Sequence, residues 1–237
     1  MQELANAPKT LVAPGVNGRW IYSLAVAERI IAYRKSIERL ENADHARLLR
    51  VLLGSALVTL SNVVISGKGR RYRSGWQNRT VPPTSVHQMF EAAFLNAIED
   101  IVRFGKRPCN EYTLLRGDSR VALAQAQSAD FSIFSPPYPN SFDYTDIYNL
   151  ELWMLGYLKM PEDNRRLREA TLRSHVQIKR SFEATSSSPT LDATMMALNE
   201  QRSDMWNNNI PDMVRAYFDD LVAILIQLIE LLCRAVQ

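Results

Sequence analysis

The 237-residue chain has few of the residues that build covalent or metal-bound frameworks. Its two cysteines, Cys109 and Cys233, are too few for a disulfide framework or a cysteine zinc site. Its three histidines, His45, His87 and His175, lie far apart in the sequence and show no metal-ligand spacing. The sequence therefore predicts no metal site, and the low cysteine content fits a reducing, cytoplasmic environment.

Excess charge and long apolar runs are also lacking. The 28 Lys and Arg residues against 25 Asp and Glu residues leave a net charge of +3, so any nucleic-acid contact must come from local basic clusters. The N-terminus has no basic segment followed by an apolar one, which argues against a secretory signal. The most apolar stretch, 221–236, is interrupted by Gln227, Glu230 and Arg234, which favours a buried helix over a membrane span. We therefore expect no membrane association.

Helical periodicity dominates the first part of the chain. Apolar residues recur at helical spacing and predict amphipathic helices over 23–42, 44–64 and 85–104. The segment 66–83 is rich in Gly, Pro, Ser and Arg and predicts a loop. These patterns together predict a helical region over residues 1–107 with a basic loop inside it.

The pattern changes over residues 108–237. Two strands, 111–115 and 130–134, are predicted on either side of a short helix over 120–127, which is the pattern of a parallel β-α-β unit. A helix over 146–158, a long loop over 159–190 and a last helix from Pro211 are predicted to follow. The sequence thus predicts an α/β region that follows a helical one.

The run Ser135-Pro136-Pro137-Tyr138 follows the second predicted strand. The exocyclic amine of a base is a poor nucleophile because its lone pair is delocalised into the ring. A side-chain oxygen on Ser135 and a backbone carbonyl of Pro136 could accept both amine hydrogens and orient the nitrogen. The two prolines restrict the backbone, and Tyr138 offers a face for a flipped base. An ordinary proline turn, or a polyproline segment for an SH3-type partner, is the alternative.

This run resembles the fourth motif of the amino-methyltransferases of DNA, which is Asp, Asn or Ser followed by Pro-Pro-Tyr or Pro-Pro-Phe. The resemblance implies a Rossmann-like fold and an enzyme that uses S-adenosylmethionine as its cofactor. It also implies that the substrate is DNA, as for the methyltransferases of restriction-modification systems. The serine form looks like the cytosine-N4 branch. Adenine N6 and RNA guanine remain open as targets.

Two further segments extend the resemblance to residues 50–158. Gly117-Asp118 stands where related enzymes place a Gly-Asp pair whose carboxylate contacts the cofactor adenine, so the resemblance gives Asp118 that role. The continuation over 139–156 is similar to one subgroup, which carries a helical insert ending in a basic, glycine-containing loop like 66–73.

One part of the family pattern is missing from the sequence. Members bind the methionine part of the cofactor with a Phe-x-Gly-x-Gly loop, and the nearest candidate, Gly67-Lys68-Gly69, lacks the aromatic residue. The final hairpin strands of the sheet are not found either. We therefore expect an incomplete enzyme whose cofactor loop comes from outside these residues, for example from a second polypeptide. The alternative is an inactive remnant or subunit that binds nucleic acid.

Basic residues cluster in two places. The first cluster could hold a phosphate backbone while its aromatic residues stack on bases, or it could be a solvated loop. Its candidate nucleic-acid-binding residues are Lys68, Arg70, Arg71, Arg73 and Trp76, with Tyr72 and Arg79 nearby. The second is diluted by acidic residues and favours a solvated face; it consists of Arg165, Arg166, Arg168, Arg173, Lys179 and Arg180.

Overall fold

The computed structural model describes residues 2–67, 69–108, 111–139, 142–177 and 183–233. The helices and strands are α1 (Leu24–Glu38), α2 (Ala43–Leu60), β1 (Val63–Ser66), β2 (Gly69–Tyr72), α3 (Thr84–Phe104), α4 (Ser119–Ala122), α5 (Tyr144–Ile147), α6 (Asn149–Met154), α7 (Pro161–Glu169), α8 (Pro189–Glu200) and α9 (Ile210–Cys233). The chain divides into two compact units. Unit 1 contains Met1–Asn110 and Tyr144–Arg165, and unit 2 contains Glu111–Asp143 and Arg166–Gln237.

Unit 1 is built around a continuous apolar core. The core combines the N-terminal segment with one face of each of several helices, and includes Leu11, Tyr22, Ala27, Ile30, Leu53, Leu57, Val86, Leu150, Trp153 and Met154. Tyr22 donates a hydrogen bond from its hydroxyl to the Leu57 carbonyl at 2.9 Å, which satisfies the polar atom of a fully buried ring. The C-terminal half of α3 lies outside this core and exposes Phe94, Ile98 and Ile101.

A buried arginine links α1 to the end of α6. Arg34 is 5% exposed, pairs with Glu3 and Glu38, and donates to the Met154 carbonyl at 3.3 Å. Gly156 has a φ of +79°, and a Cβ there would lie 2.9 Å from the Arg34 Nη1. Glycine at this position therefore provides both the left-handed turn and the space for the guanidinium.

The three helices predicted for residues 1–107 are present as α1, α2 and α3 and differ in their boundaries, whereas the single helix predicted over 146–158 is present as α5 and α6. Asn42 caps α2 by accepting from the Asp44 and His45 amides, and the helix ends at Leu60. The residues that follow form an antiparallel hairpin in which Val63 pairs with Tyr72 and Ser66 with Gly69. The predicted loop over 66–83 is therefore partly a strand. Gly67, at φ +60°, belongs to the hairpin turn, which is a different conformation from a cofactor loop between a strand and a helix.

Unit 2 is built around α9, which extends from Ile210 to Cys233 close to the start that Pro211 predicts. Its buried apolar residues are few and include Met213, Ala216, Tyr217, Ile224 and Leu231. Two carboxylates on the same helix, Asp219 and Asp220, are also buried. Asp219 accepts from the amides of Thr185 and Ser186, so a polar side chain anchors the segment before α8. The helix α7 lies inside the segment 159–190 that the sequence predicts as a loop, and α8 begins at the end of that segment and continues to Glu200, where no element is predicted.

Neither strand predicted in unit 2 is present. Segments 111–115 and 130–134 are irregular, and no backbone hydrogen bond joins them to another part of the described chain. A strand needs a neighbour that pairs with its N–H and C=O groups, and the described residues of unit 2 supply none. The β-α-β prediction is therefore wrong for these segments, and α4 is its one element that forms. The described fold is helical with a single two-stranded sheet, β1–β2.

Candidate active site and nucleic-acid interface

The four residues Ser135 to Tyr138 lie in an irregular segment of unit 2. Ser135 is exposed, Pro136 and Pro137 are half-buried, and Tyr138 exposes 70% of its surface. The backbone therefore follows a proline-restricted path whose polar and aromatic side chains are open to a ligand.

Tyr217 of α9 is a neighbour of this segment that sequence reasoning did not single out. Burial raises the pKa of the Tyr217 phenol, and the proximity of the Tyr138 hydroxyl raises it further. Tyr217 is 4% exposed and packs edge-on against Phe218 at 5.4 Å between ring centroids. The exposed tyrosine of the Pro-Pro-Tyr run thus has a buried, neutral phenol close to it. No local pattern could have revealed the pair, because its members lie on distant parts of the sequence.

Gly117 and Asp118 form the turn that starts α4. Gly117 has a φ of +155°, and Asp118 caps the helix by accepting from the Arg120 amide at 3.0 Å. The Arg120 guanidinium also donates hydrogen bonds to this carboxylate, with Nε 2.9 Å from Oδ1 and Nη2 2.6 Å from Oδ2. Burial opposes ionisation of Asp118, but the hydrogen bonds from Arg120 outweigh it and lower the pKa of the carboxyl. Asp118 is therefore held as a carboxylate in one orientation.

The Asp118 carboxylate belongs to a larger ion cluster in unit 2. Arg120 Nη1 donates to Asp220 Oδ1 at 2.8 Å, and Arg173 donates to the same oxygen through Nη2 at 2.7 Å and Nε at 3.0 Å. The Arg173 amide donates to Asp220 Oδ2 at 2.8 Å. The side chain of Gln227 on α9 donates to the Arg120 carbonyl. Asp220 is 2% exposed, so this cluster ties α4 to the last helix through a buried charge.

Arg120 uses all the acceptor positions of the Asp118 carboxylate. An ionised carboxylate has about four of them, and the Arg120 amide, Nε and Nη2 make four contacts, with Nε shared between the two oxygens at 2.9 and 3.1 Å. The side chain remains 23% exposed. A hydroxyl or amine of an adenosine could reach the carboxylate by replacing one of the two shared Nε contacts, so Asp118 is compatible with the role that the resemblance gives it. The described residues place no glycine loop beside it.

The basic hairpin residues lie in unit 1, and the Ser135–Tyr138 segment belongs to unit 2. Arg70 and Arg71 lie on β2, with Arg71 exposed and Arg70 half-buried. Arg73 has another function, because its Nε donates to the Ser61 carbonyl at 3.2 Å and its Nη2 to the Val58 carbonyl at 3.0 Å. Arg73 therefore caps the C-terminal carbonyls of α2. Lys68 lies outside the described residues.

Trp76 is packed inside an aromatic cluster. It is 8% exposed, meets Trp20 edge-on at 5.2 Å and lies 4.7 Å from the Tyr72 ring. A base could not stack on Trp76 without displacing these rings, so its observed contacts are those of a packing residue. Tyr72 is half-buried and is the cluster member on the same strand as the arginines.

The second basic run is partly internal, unlike the solvated face that its sequence favours. Arg168 donates to the buried Asp143 at 2.8 Å, and Arg173 belongs to the Asp220 cluster. Lys179 and Arg180 lie outside the described residues.

Among the described residues, no group of three or more His, Cys, Asp or Glu side chains is arranged for a metal ion. None of the helices in that part of the chain has the length and apolar character of a membrane span.

Part of the chain is similar to bacterial methyltransferases. It is 30% identical over 114 residues to the Type II methyltransferase M.AvaI of Nostoc sp. (strain PCC 7120 / SAG 25.82 / UTEX 2576), and equally to the protein of that name from Anabaena variabilis. The match covers 44% of this chain and 23% of each relative. No family model matches the sequence. No solved structure matches it either.

Proposed function

We propose that this chain belongs to an S-adenosylmethionine-dependent methyltransferase that modifies the exocyclic amine of a base in DNA, with cytosine N4 favoured over adenine N6. The observation that supports this most is the 30% identity over 114 residues to proteins named as Type II methyltransferases. The Ser-Pro-Pro-Tyr run and its exposed tyrosine support the amine as the target. In this proposal residues 108–237 are the catalytic region, within a Rossmann-like sheet that other residues complete, and the enzyme works in the cytoplasm.

The four motif residues have distinct roles in the proposal. The Ser135 hydroxyl and the Pro136 carbonyl accept the two amine hydrogens, which localises the nitrogen lone pair and aims it. Pro137 restricts the backbone and removes a competing N–H donor. Tyr138, 70% exposed, stacks on the base flipped out of the duplex. S-adenosylmethionine would supply the methyl group, with the N–C bond forming as its S–C bond breaks and S-adenosylhomocysteine leaving, and the methylated amine would release one proton to solvent.

Gly117 and Asp118 provide the cofactor contact in this proposal. When bound, S-adenosylmethionine supplies an electrophilic sulfonium methyl group. Asp118 is pre-oriented by Arg120 and is 23% exposed, and one hydroxyl or amine of the adenosine would replace the shared Arg120 Nε contact on one of its oxygens. Gly117 allows the turn in which the carboxylate is presented.

The exposed apolar residues of unit 2 support a role for an additional polypeptide. Tyr112, Leu114, Phe131 and Ile133 alternate along the two irregular segments and expose 75–85% of their surfaces. Alternating apolar residues next to unpaired backbone groups are suited to pairing with added strands. The relatives are much longer than the matched region, which covers 23% of their length. We therefore propose that a second polypeptide carrying the glycine-rich cofactor loop pairs with these segments.

DNA contact is proposed through the β1–β2 hairpin. Arg70 and Arg71 remain candidates for phosphate binding, whereas the contacts of Arg73 and Trp76 favour an indirect role in shaping the hairpin. Lys68 stays a candidate on the basis of sequence. Arginine is suited to phosphate because its planar guanidinium offers two parallel donors.

The test is to incubate the protein with labelled S-adenosylmethionine and either DNA or RNA, alone and with any adjacently encoded polypeptide that carries a Phe-x-Gly-x-Gly loop. We expect label in DNA, recovered as N4-methylcytosine. Label in RNA alone would establish the RNA alternative.

An inactive remnant that binds nucleic acid is the second candidate function. The irregular backbone around the Pro-Pro-Tyr run and the absence of a glycine loop among the described residues favour it. Calorimetry separates the two candidates, because a remnant binds DNA in a salt-dependent way and gives no heat with the cofactor.

A further inference from the structure

The turn that precedes α1 holds an arginine in a defined position. Val16 and Arg19 form a short antiparallel pair, with the Val16 amide 3.1 Å from the Arg19 carbonyl and the Arg19 amide 2.9 Å from the Val16 carbonyl. Asn17 and Gly18 lie between them at φ +50° and +69°. Positive φ at both central residues is the signature of a tight type I′ turn, for which Asn-Gly is the preferred sequence. The turn fixes the Arg19 backbone while its side chain remains exposed.

This turn is joined to the β1–β2 hairpin by hydrogen bonds and ring contacts. The Asn62 side chain donates to the Trp20 carbonyl at 3.3 Å, and the Asn62 amide donates to the Ile21 carbonyl at 2.9 Å. The Arg73 amide donates in turn to the Asn62 carbonyl at 2.9 Å. Trp20 itself meets Trp76 edge-on. The residue after Arg19 is therefore held against the base of the hairpin.

Arg19 and Arg70 belong to segments that meet at Trp76. The ring of Trp20, the residue after Arg19, lies 5.2 Å from Trp76, and the Tyr72 ring of the strand that carries Arg70 lies 4.7 Å from it. The two segments therefore come together although they lie about fifty residues apart in the chain. Burial raises the pKa of Tyr72, and the positive charges of Arg19 and then Arg70 oppose that rise, which agrees with this arrangement. Arg71 lies between Arg70 and Tyr72 on the strand, so its side chain points to the opposite face.

We propose that Arg19 is a phosphate-binding residue of the same DNA-contacting surface as Arg70, here called the Arg19–hairpin surface. The inference rests on the DNA binding proposed above and adds a contact from outside the predicted basic loop. A nucleic-acid backbone fits this surface better than an acidic protein, because its phosphates are regularly spaced and each can accept two parallel hydrogen bonds from one guanidinium. A turn with fixed φ values also lowers the conformational entropy lost when Arg19 binds.

The experiment measures binding of the full chain to a fluorescently labelled 30-base-pair duplex by anisotropy at several salt concentrations. We expect Arg19→Ala to weaken binding about fivefold and to lower the slope of log affinity against log salt by about 0.9, as for one lost phosphate contact. Arg70→Ala should have a similar effect, and Arg19→Lys should keep most of the slope. Arg47→Ala removes an exposed, Asp44-paired charge near the other end of α2 and should leave both quantities unchanged.

The outcomes separate this inference from the function on which it rests. If Arg70→Ala weakens binding while Arg19→Ala behaves like Arg47→Ala, Arg19 is not part of the surface and the inference alone fails. If the wild-type chain binds no duplex, the proposed DNA contact fails together with it. Polyglutamate and unlabelled duplex are also compared as competitors at equal charge concentration. If polyglutamate competes as well as the duplex does, the surface binds acidic proteins and the assignment is overturned. Unchanged circular dichroism and thermal unfolding of each variant exclude misfolding as the cause.

Discussion

Unit 1 and unit 2 achieve their packing in different ways. Unit 1 contains the apolar cluster that joins the N-terminal segment to α1, α2, α3 and α6, and its few buried polar groups fit around that cluster. Unit 2 buries few apolar side chains, and its most enclosed contacts are the hydrogen-bonded charges of Asp220, Arg120 and Arg173. Both units expose large apolar side chains, unit 2 on its irregular segments and unit 1 on the C-terminal half of α3. The difference between the units indicates that unit 1 depends mainly on apolar burial, whereas unit 2 depends more on ionised groups.

The largest expected effect is in the core of unit 1. Trp153→Ala removes a side chain that is 2% exposed and leaves a cavity, so we expect a loss of about 3–5 kcal/mol in the free energy of unfolding. Urea denaturation followed by circular dichroism measures it. The matched control is Trp206→Ala in unit 2, where the ring is 72% exposed and the change should stay within about 0.5 kcal/mol. Equal effects of the two substitutions would show that Trp153 does not pack in the core of unit 1.

The ion cluster of unit 2 should respond next most strongly. Asp220→Asn leaves Arg120 and Arg173 facing a neutral group in a buried site, and removing one partner of such a pair costs about 3 kcal/mol. Hydrogen exchange followed by mass spectrometry should show faster exchange in α4 and α9 than in α1. Asp130→Asn changes an exposed carboxyl in the same unit and is the control. Faster exchange spread evenly over both units would contradict the assignment of this cluster to unit 2.

Acid should loosen unit 2 before unit 1. Burial opposes ionisation of Asp118 and Asp220, but hydrogen bonds from arginine lower the folded-state pKa of both below the ordinary value of 3.8. Their contribution is therefore fully present above the unfolded-state pKa and is lost as pH falls through the lowered folded-state values. Hydrogen exchange, corrected for its intrinsic pH dependence, should show protection of α9 falling below about pH 4 while α1 stays protected. In Asp220→Asn this difference should shrink, and a wild-type profile without it would contradict the account.

The smallest effect on stability is expected on the exposed surface of unit 2. Ile133→Lys changes a side chain that is 85% exposed, so the free energy of unfolding should change by less than about 0.5 kcal/mol. Binding of a hydrophobic dye should fall, because Ile133 belongs to the group of exposed apolar residues in unit 2 to which the dye can bind. Val51→Lys alters a 65% exposed residue of α2 in unit 1 and should affect the dye less. A large loss of stability in Ile133→Lys would show that this side chain packs inside the unit.

The sequence predicts long elements with continuous apolar periodicity well. The helices α1, α3 and α9 lie close to their predicted bounds, because each carries an apolar face over several turns. The hairpin was missed because the apolar residues Val63, Val64 and Ile65 extend the apolar pattern of α2 across Ser61 and Asn62, the two polar residues at which the helix ends. The predicted strands 111–115 and 130–134 have the right alternation but no described neighbour, and strand formation depends on residues far away in the sequence.

The candidate site shows the same limit. Ser135 to Tyr138 and the Gly117–Asp118 pair could be named from local motifs. Asp220 and Arg173, which belong to the ion cluster of Arg120 and Asp118, and Tyr217, a neighbour of Tyr138, could not, because their roles arise only when α9 packs in unit 2. The basic cluster could be located from the sequence, but the different contacts of its members could not. The structure shows that Arg73 caps α2 and that Trp76 packs against two rings.

The most direct test of the central claim compares methyl transfer to DNA by the wild-type protein and by Ser135→Ala. The assay includes the adjacently encoded loop-bearing polypeptide, if one exists. We expect N4-methylcytosine with wild type, a loss of about a hundredfold in Ser135→Ala because one oriented acceptor is gone, and no change in Ser128→Ala, an exposed serine of the same unit. A full-length gene product that binds S-adenosylmethionine but methylates neither DNA nor RNA would contradict the account.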